Sequence, residues 1–180
     1  MFPRKFRLCE LFGIPLYLDF SLAILLLFFV TGGGGLFAGL LGAAVLLVSI
    51  TAHELGHALT ARSFGYETND ITLSLLGGCA SLIALPRKAK QEFWTAIAGP
   101  AVSFALATVA LVSVSCFTHG SVWGFALYSV SSGLWGDPRL ACDPSVYWIA
   151  DLLLNMGLMN LMLGLFNLPP GFPMDGGRIF

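Results

Sequence analysis

The chain has 180 residues, a mean hydropathy of +0.84, 57% hydrophobic residues and only 11% charged ones. A soluble domain carries about 25% charged residues. The composition therefore excludes an ordinary soluble protein and implies an integral membrane protein built as one bundle, and a net charge of −1 leaves no basic footprint for nucleic acid.

In chain order, Met1–Leu11 carries Arg4, Lys5 and Arg7, the mark of a cytoplasmic flank. The apolar run Ile14–Val30 follows without a small-residue cleavage site, so it reads as a retained first span and not as a signal peptide. About 17 residues is the short limit for a span, and Asp19 within it belongs at the interface or against the bundle. The glycines of Thr31–Gly35 read as a plain turn.

Leu36–Ser63 is the second predicted span. It is uncharged from Leu36 to Ala52, after which come His53, Glu54, His57 and finally Arg62. His53 and His57 are one helical turn apart and project from the same face. Two imidazoles so placed can share one metal ion, and Zn²⁺ suits nitrogen ligands. Glu54 stands beside the first of them, where a general base would be needed. At about 1.5 Å per residue the motif lies roughly 10–15 Å from the Arg62 end, inside the membrane. Ionisable groups at that depth are costly and functional by default, which weakens the plainer reading of polar residues satisfied within a bundle. Water must reach them, so a polar cavity should open towards the Arg62 side.

Phe64–Gln91 is not a span. Ile71-Thr-Leu-Ser-Leu-Leu and Ala80-Ser-Leu-Ile-Ala-Leu alternate weakly around Gly77-Gly78 and predict two short strands with a turn between them. The pair is either an edge that takes up an extended peptide or a connecting hairpin without a ligand. Arg87, Lys88 and Lys90 return the chain to the basic side. Phe93–Phe117 is the third span, in which Gly99-Pro100 would kink the helix or let it pack closely. Thr118–Ser145, with Trp123, Tyr128 and Trp135, reads as a loop resting on the opposite interface, and His119 as a loop histidine. No CxxC pair occurs. Cys116 and Cys142 would share an oxidising side, where a disulfide could form, while Cys9 and Cys79 would face the reducing one.

Val146–Phe166 is the fourth span, with Asp151, Asn155 and Asn160 along it, the amides serving as inter-helix hydrogen bonds. Asn167-Leu-Pro-Pro-Gly-Phe-Pro-Met-Asp-Gly-Gly-Arg178 then forces extended backbone and returns Asp175 to the side of His57. Arg4, Lys5, Arg7, Arg62, Arg87, Lys88, Lys90 and Arg178 fall on one side of this arrangement and Arg139 alone on the other. That bias implies an even number of spans with the N-terminus inside. The expected fold is an all-α membrane protein, residues 1–180 forming a single core with about four transmembrane helices and a short β-hairpin between the second and third.

Two histidines and one carboxylate leave zinc an open position, which is the catalytic pattern. Asp175 is the best remaining oxygen ligand, because Asp151 should lie nearer the opposite face. The implied chemistry is peptide-bond hydrolysis, with Glu54 taking a proton from water and passing it to the leaving amine. The substrate must enter as extended chain, since a helix hides its carbonyls. Asn167 or another polar group would hold that strand or its oxyanion.

These features resemble the site-2 protease family of intramembrane zinc metalloproteases. His53-Glu-Leu-Gly-His57 with Ala58-Leu-Thr-Ala-Arg62-Ser-Phe-Gly65 is similar to the family's metal helix, Leu76-Gly-Gly-Cys-Ala80 to its glycine-centred hairpin, Glu92-Phe-Trp-Thr-Ala-Ile-Ala-Gly-Pro100 to the start of its third helix, and Asn167–Arg178 to its second signature. The resemblance implies Asp175 as third zinc ligand, cleavage of membrane-anchored proteins such as transcription-factor or anti-sigma precursors, and an active site facing the cytoplasm of a prokaryotic cell. Where the family usually has Asn three residues after Gly-Pro, this chain has Ser103. Many members continue with further helices, so a chain stopping at Phe180 reads as a fragment or a minimal form, with no room for an inserted PDZ domain. Two alternatives stand beside the protease: an inactive relative that binds transmembrane segments, and a metal transporter using His53, His57 and Asp175 in transit.

Overall fold

The computed structural model describes residues 5–31, 35–74, 77–82, 88–117, 147–171 and 174–178. Strands β1 (Lys5–Leu11) and β2 (Ile14–Asp19) form an antiparallel hairpin. Its tip, Phe12–Gly13, has left-handed backbone at both residues, φ 53° and 77°, which matches the twist of a tight two-residue connection. Helix α1 (Phe20–Thr31) follows at once, capped by Asp19, whose Oδ1 accepts from the Ser21 backbone N–H at 2.8 Å.

This corrects the expected span over Ile14–Val30. Ile14 and Leu16 are buried while Pro15 and Tyr17 are not, so the run begins with a period of two. Only then, past Asp19, does it turn helical. Twelve helical residues reach about 18 Å, short of a hydrocarbon core of about 30 Å. Asp19 serves as a helix cap at that transition.

Helix α2 (Leu36–Ser63) keeps the predicted bounds, set by Gly35 (φ 86°) before it and Gly65 (φ 85°) after it. Backbone N–H groups of Phe64, Gly65 and Tyr66 cap its last carbonyls. Arg62 in its last turn donates to the Phe12 carbonyl at 2.8 Å and so ties α2 to the hairpin tip. Strand β3 (Thr68–Ser74) lies parallel to β2 and antiparallel to β4 (Gly77–Leu82), giving one four-stranded sheet in the order β1-β2-β3-β4. The two later strands start three residues before their expected positions. Gly77 and Gly78 fall inside β4, paired with Ser74 and Leu73, and not in a turn. Glycine pairs mark turns only when their positive φ is used; in a strand they leave bare backbone.

Helices α3 (Ala89–Phe117) and α4 (Tyr147–Asn167) complete the bundle, α3 packing along both α2 and α4. The expected starts, Phe93 and Val146, lie four residues late and one residue early. Among the described residues three helices, α2, α3 and α4, are long and apolar enough to cross a membrane. Ile14, Leu16, Ile71 and Leu73 of the sheet pack with Leu22, Leu46, Ile50 and Ala58 of α1 and α2 into one core. Outside that core the usual polarity is inverted. Leu27, Phe28, Leu40, Val48, Val109 and Leu165 are exposed, while Ser49, His53, Glu54, Thr95, Ser103 and Asn160 are buried. An apolar exterior around a polar interior is what a lipid environment selects. The protein is an integral membrane protein.

Candidate active site

Ser49, His53 and His57 repeat every four residues and share one buried stripe of α2. The facing stripe of α3 has the same spacing, at Thr95, Gly99 and Ser103. The His57 Nδ1–H donates to the Thr95 carbonyl at 2.7 Å. A carbonyl only accepts, so this bond fixes the proton on Nδ1 and turns Nε2 to the centre of the site. His53 Nδ1 lies 2.9 Å from Ser103 Oγ, which turns its Nε2 the same way. Between these two contacts sits Gly99. A Cβ there would run into the His57 ring at Nε2, so the absent side chain is what lets the imidazole in.

Asp175 arrives from the other end of the sequence. It opens a short 3-10 turn, Asp175–Arg178, after the Pro/Gly segment that ends α4. Met174 N–H donates to the Gly171 carbonyl at 2.8 Å and folds this segment back on itself. A Cβ at Gly176 would collide with the Leu168 and Pro169 carbonyls, so only glycine permits the return. Asp175 Oδ2 then lies 3.0 Å from His53 Nε2 and 3.1 Å from His57 Nε2, and the two nitrogens are 3.2 Å apart. Burial works to raise the Asp175 carboxyl, but hydrogen bonds and charge from the two histidines outweigh it and hold the group at about 2. The carboxylate is therefore anionic.

With both imidazoles in the Nδ1–H tautomer, two nitrogen lone pairs and a carboxylate oxygen face one point, a donor set that fits a cation. A tetrahedral zinc with bonds of about 2.0–2.1 Å separates its donors by about 3.3 Å, and the triangle of two imidazole nitrogens and a carboxylate oxygen fits that size. Glu54, also buried, belongs to a wider group with His53 and His57 whose donor atoms lie within 4.8 Å of one another. The tighter triangle is the one closed by Asp175.

Of the residues singled out in the sequence, His53, Glu54, His57 and Asp175 come together. Asn167 ends α4 with one amide N–H donated to the Leu163 carbonyl at 2.8 Å, back along its own helix. Asn160 makes the expected inter-helix bond, to Ser49 Oγ at 2.8 Å, whereas Asn155 bonds within its own helix to the Asp151 carbonyl. Cys116 is exposed; Cys142, His119 and the aromatic residues of Thr118–Ser145 lie outside the described residues. Sequence reasoning gave Thr95 no role and treated Gly99 and Ser103 only as a packing site and a departure. Their four-residue spacing on an apolar helix was the available signal.

The family model for peptidase family M50 matches residues 41–180. A putative zinc metalloprotease of Synechocystis is 36% identical, over 98% of this chain and 43% of its own length. A zinc metalloprotease of Methanocaldococcus jannaschii is 35% identical, over 96% of this chain and 43% of its own length. The solved site-2 protease from Methanocaldococcus jannaschii superposes with a TM-score of 0.70 at 31% identity, covering 97% of this chain and 69% of that one. The chain thus spans less than half the length of these curated relatives. With the metal helix and Asp175 both inside the matched region, and with the fold shared, the chain belongs to peptidase family M50, the family of the site-2 proteases.

Proposed function

We propose that this chain is the core of an intramembrane zinc metalloprotease that hydrolyses peptide bonds in or near transmembrane segments of membrane-anchored proteins. The observation that carries the reading is the triangle of His53 Nε2, His57 Nε2 and Asp175 Oδ2 inside an apolar bundle. These three side chains hold the zinc, and three protein donors are the count of a catalytic site. When bound, the metal supplies Lewis acidity that polarises a peptide carbonyl and makes water easier to deprotonate. Glu54 accepts a proton from the attacking water at its carboxylate and delivers it to the leaving amide nitrogen. Asn167, with a second amide N–H and its Oδ1, holds the substrate strand.

The substrate is an extended segment, because a helical one keeps its carbonyls in hydrogen bonds. β4 is an edge of the sheet, lies against α2 and begins with two glycines, so its backbone is open to pairing with such a segment. α1 packs on α2 as a fourth membrane-embedded element beside the three long helices. The weight of basic residues supports an orientation with the N-terminus, the sheet and the opening of the site on the cytoplasmic side. Release of membrane-anchored regulatory proteins is the role this arrangement serves.

The test is Glu54→Gln in the full chain, assayed on a transmembrane model substrate in proteoliposomes. The expected result is loss of at least about 100-fold in cleavage, as for removal of a general acid–base, with zinc content unchanged. Cleavage at the wild-type rate would sink the mechanism. Zinc flux across the same vesicles with no cleavage by wild type would favour the transporter reading.

A further inference from the structure

The two imidazoles of the metal site are held by different kinds of partner. His57 is fixed by a backbone carbonyl, that of Thr95, which no side-chain substitution removes. His53 is fixed by a side chain, the hydroxyl of Ser103 at 2.9 Å, and that serine is fully buried. We propose that Ser103 is the positioning residue of the zinc site: its hydroxyl accepts the His53 Nδ1–H and so commits the Nε2 lone pair to the metal. The inference rests on the zinc reading above and adds to it a residue outside the ligand set.

The argument is one of geometry and tautomer. An imidazole that binds metal through Nε2 must carry its proton on Nδ1, and the acceptor for that proton sets both the tautomer and the plane of the ring. On the helix bearing His53, the residue one turn before it, Ser49, is engaged by the Asn160 amide, so it holds α4 in place. The facing side of α3 offers Gly99, which has no side chain, and Ser103 one turn further on. Ser103 is therefore the group that meets Nδ1. A hydroxyl differs here from the carboxylate that often backs a zinc-bound histidine. It adds no negative charge inside the bilayer, where an unpaired charge is costly, and it can also donate, so it alone does not forbid the wrong tautomer. Asp175, 3.0 Å from Nε2, could equally accept a proton placed there, so a bound metal ion at Nε2 would supply the rest of the bias.

Two substitutions of nearly equal volume separate hydroxyl from packing. Ser103→Thr keeps the hydroxyl; Ser103→Val replaces it with a methyl. The measurements are zinc affinity of the purified full chain by competition with a chromogenic chelator, and the visible absorption spectrum of the Co²⁺-substituted protein. We expect Ser103→Val to bind zinc about 10- to 100-fold more weakly, the range for loss of an outer-sphere partner, with a shifted Co²⁺ spectrum. Ser103→Thr should bind within a few fold of wild type with an unshifted spectrum. Thermal unfolding in the presence of chelator controls for folding. Equal affinity and equal spectra in folded Thr and Val variants would overturn the proposal, as would equal weakening in both. Because the readout is metal binding, it stands or falls separately from any failure to find proteolysis.

Discussion

The His57 imidazole enters the site through a gap one side chain wide. Its ring meets the His53 ring edge to face, centroids 4.9 Å apart, and its Nε2 occupies the space that a methyl group at residue 99 would fill. A change from hydrogen to methyl at Gly99 should therefore do more harm than the loss of a surface charge. Gly99→Ala is expected to leave the helices formed and to lower zinc content after dialysis to a small fraction of wild type. Retention of full zinc would show that the ring has room to move. Asp175→Ala removes the only oxygen of the triangle and should weaken zinc binding by more than about 100-fold, beyond what loss of an outer partner causes. Competition with a chelator measures it.

At the scale of elements, the devices that end one structure and start the next are local and small. Asp19 closes β2 and caps α1 through the Ser21 N–H. Asp19→Ala should cost about 1 kcal/mol, the usual effect of losing such a cap, read as a lower unfolding midpoint in detergent with activity retained. The Asn160–Ser49 bond joins α4 to α2 one turn below His53. Hydrogen bonds between membrane helices average about 0.6 kcal/mol and rarely exceed about 1.7, so Asn160→Leu should destabilise within that range. A larger loss would mean that Asn160 also sets the position of α4, and with it the loop that carries Asp175. The correction at Ile14–Val30 belongs to this scale too. A short apolar run does not declare its period until a cap such as Asp19 divides it, because strand and helix bury the same residue types.

At the scale of the whole molecule, the sheet, the half of α2 that carries His53 and His57, and the turn after α4 that carries Asp175 gather at one end of the bundle. Cys9 in β1 lies at that end and Cys116, near the end of α3, at the other; both are exposed. In a background with Cys79 and Cys142 replaced by Ser, a membrane-impermeant maleimide should label Cys9 only from the cytoplasmic side and Cys116 only from the opposite side. Labelling of both from one side would remove the proposed orientation. The same architecture explains why the bundle buries histidines and carboxylates while presenting Phe28 and Leu40 outwards: lipid solvates the exterior, and the polar groups find their partners inside.

The amino-acid order alone determined the membrane setting, the bounds of α2 and the pairing of His53 with His57. Those depend on hydropathy, on flanking glycines and on a spacing of four along one helix, all of which are properties of adjacent residues. It also gave Asp175 as a candidate, by elimination and by resemblance. Tertiary structure decided what surrounds the two imidazoles: that Asp175 Oδ2 reaches both nitrogens, that Thr95 and Ser103 orient the rings and that Gly99 makes space. Each of these is a contact between segments 38 or more residues apart, or the outcome of one, and such contacts exist only after the helices have packed.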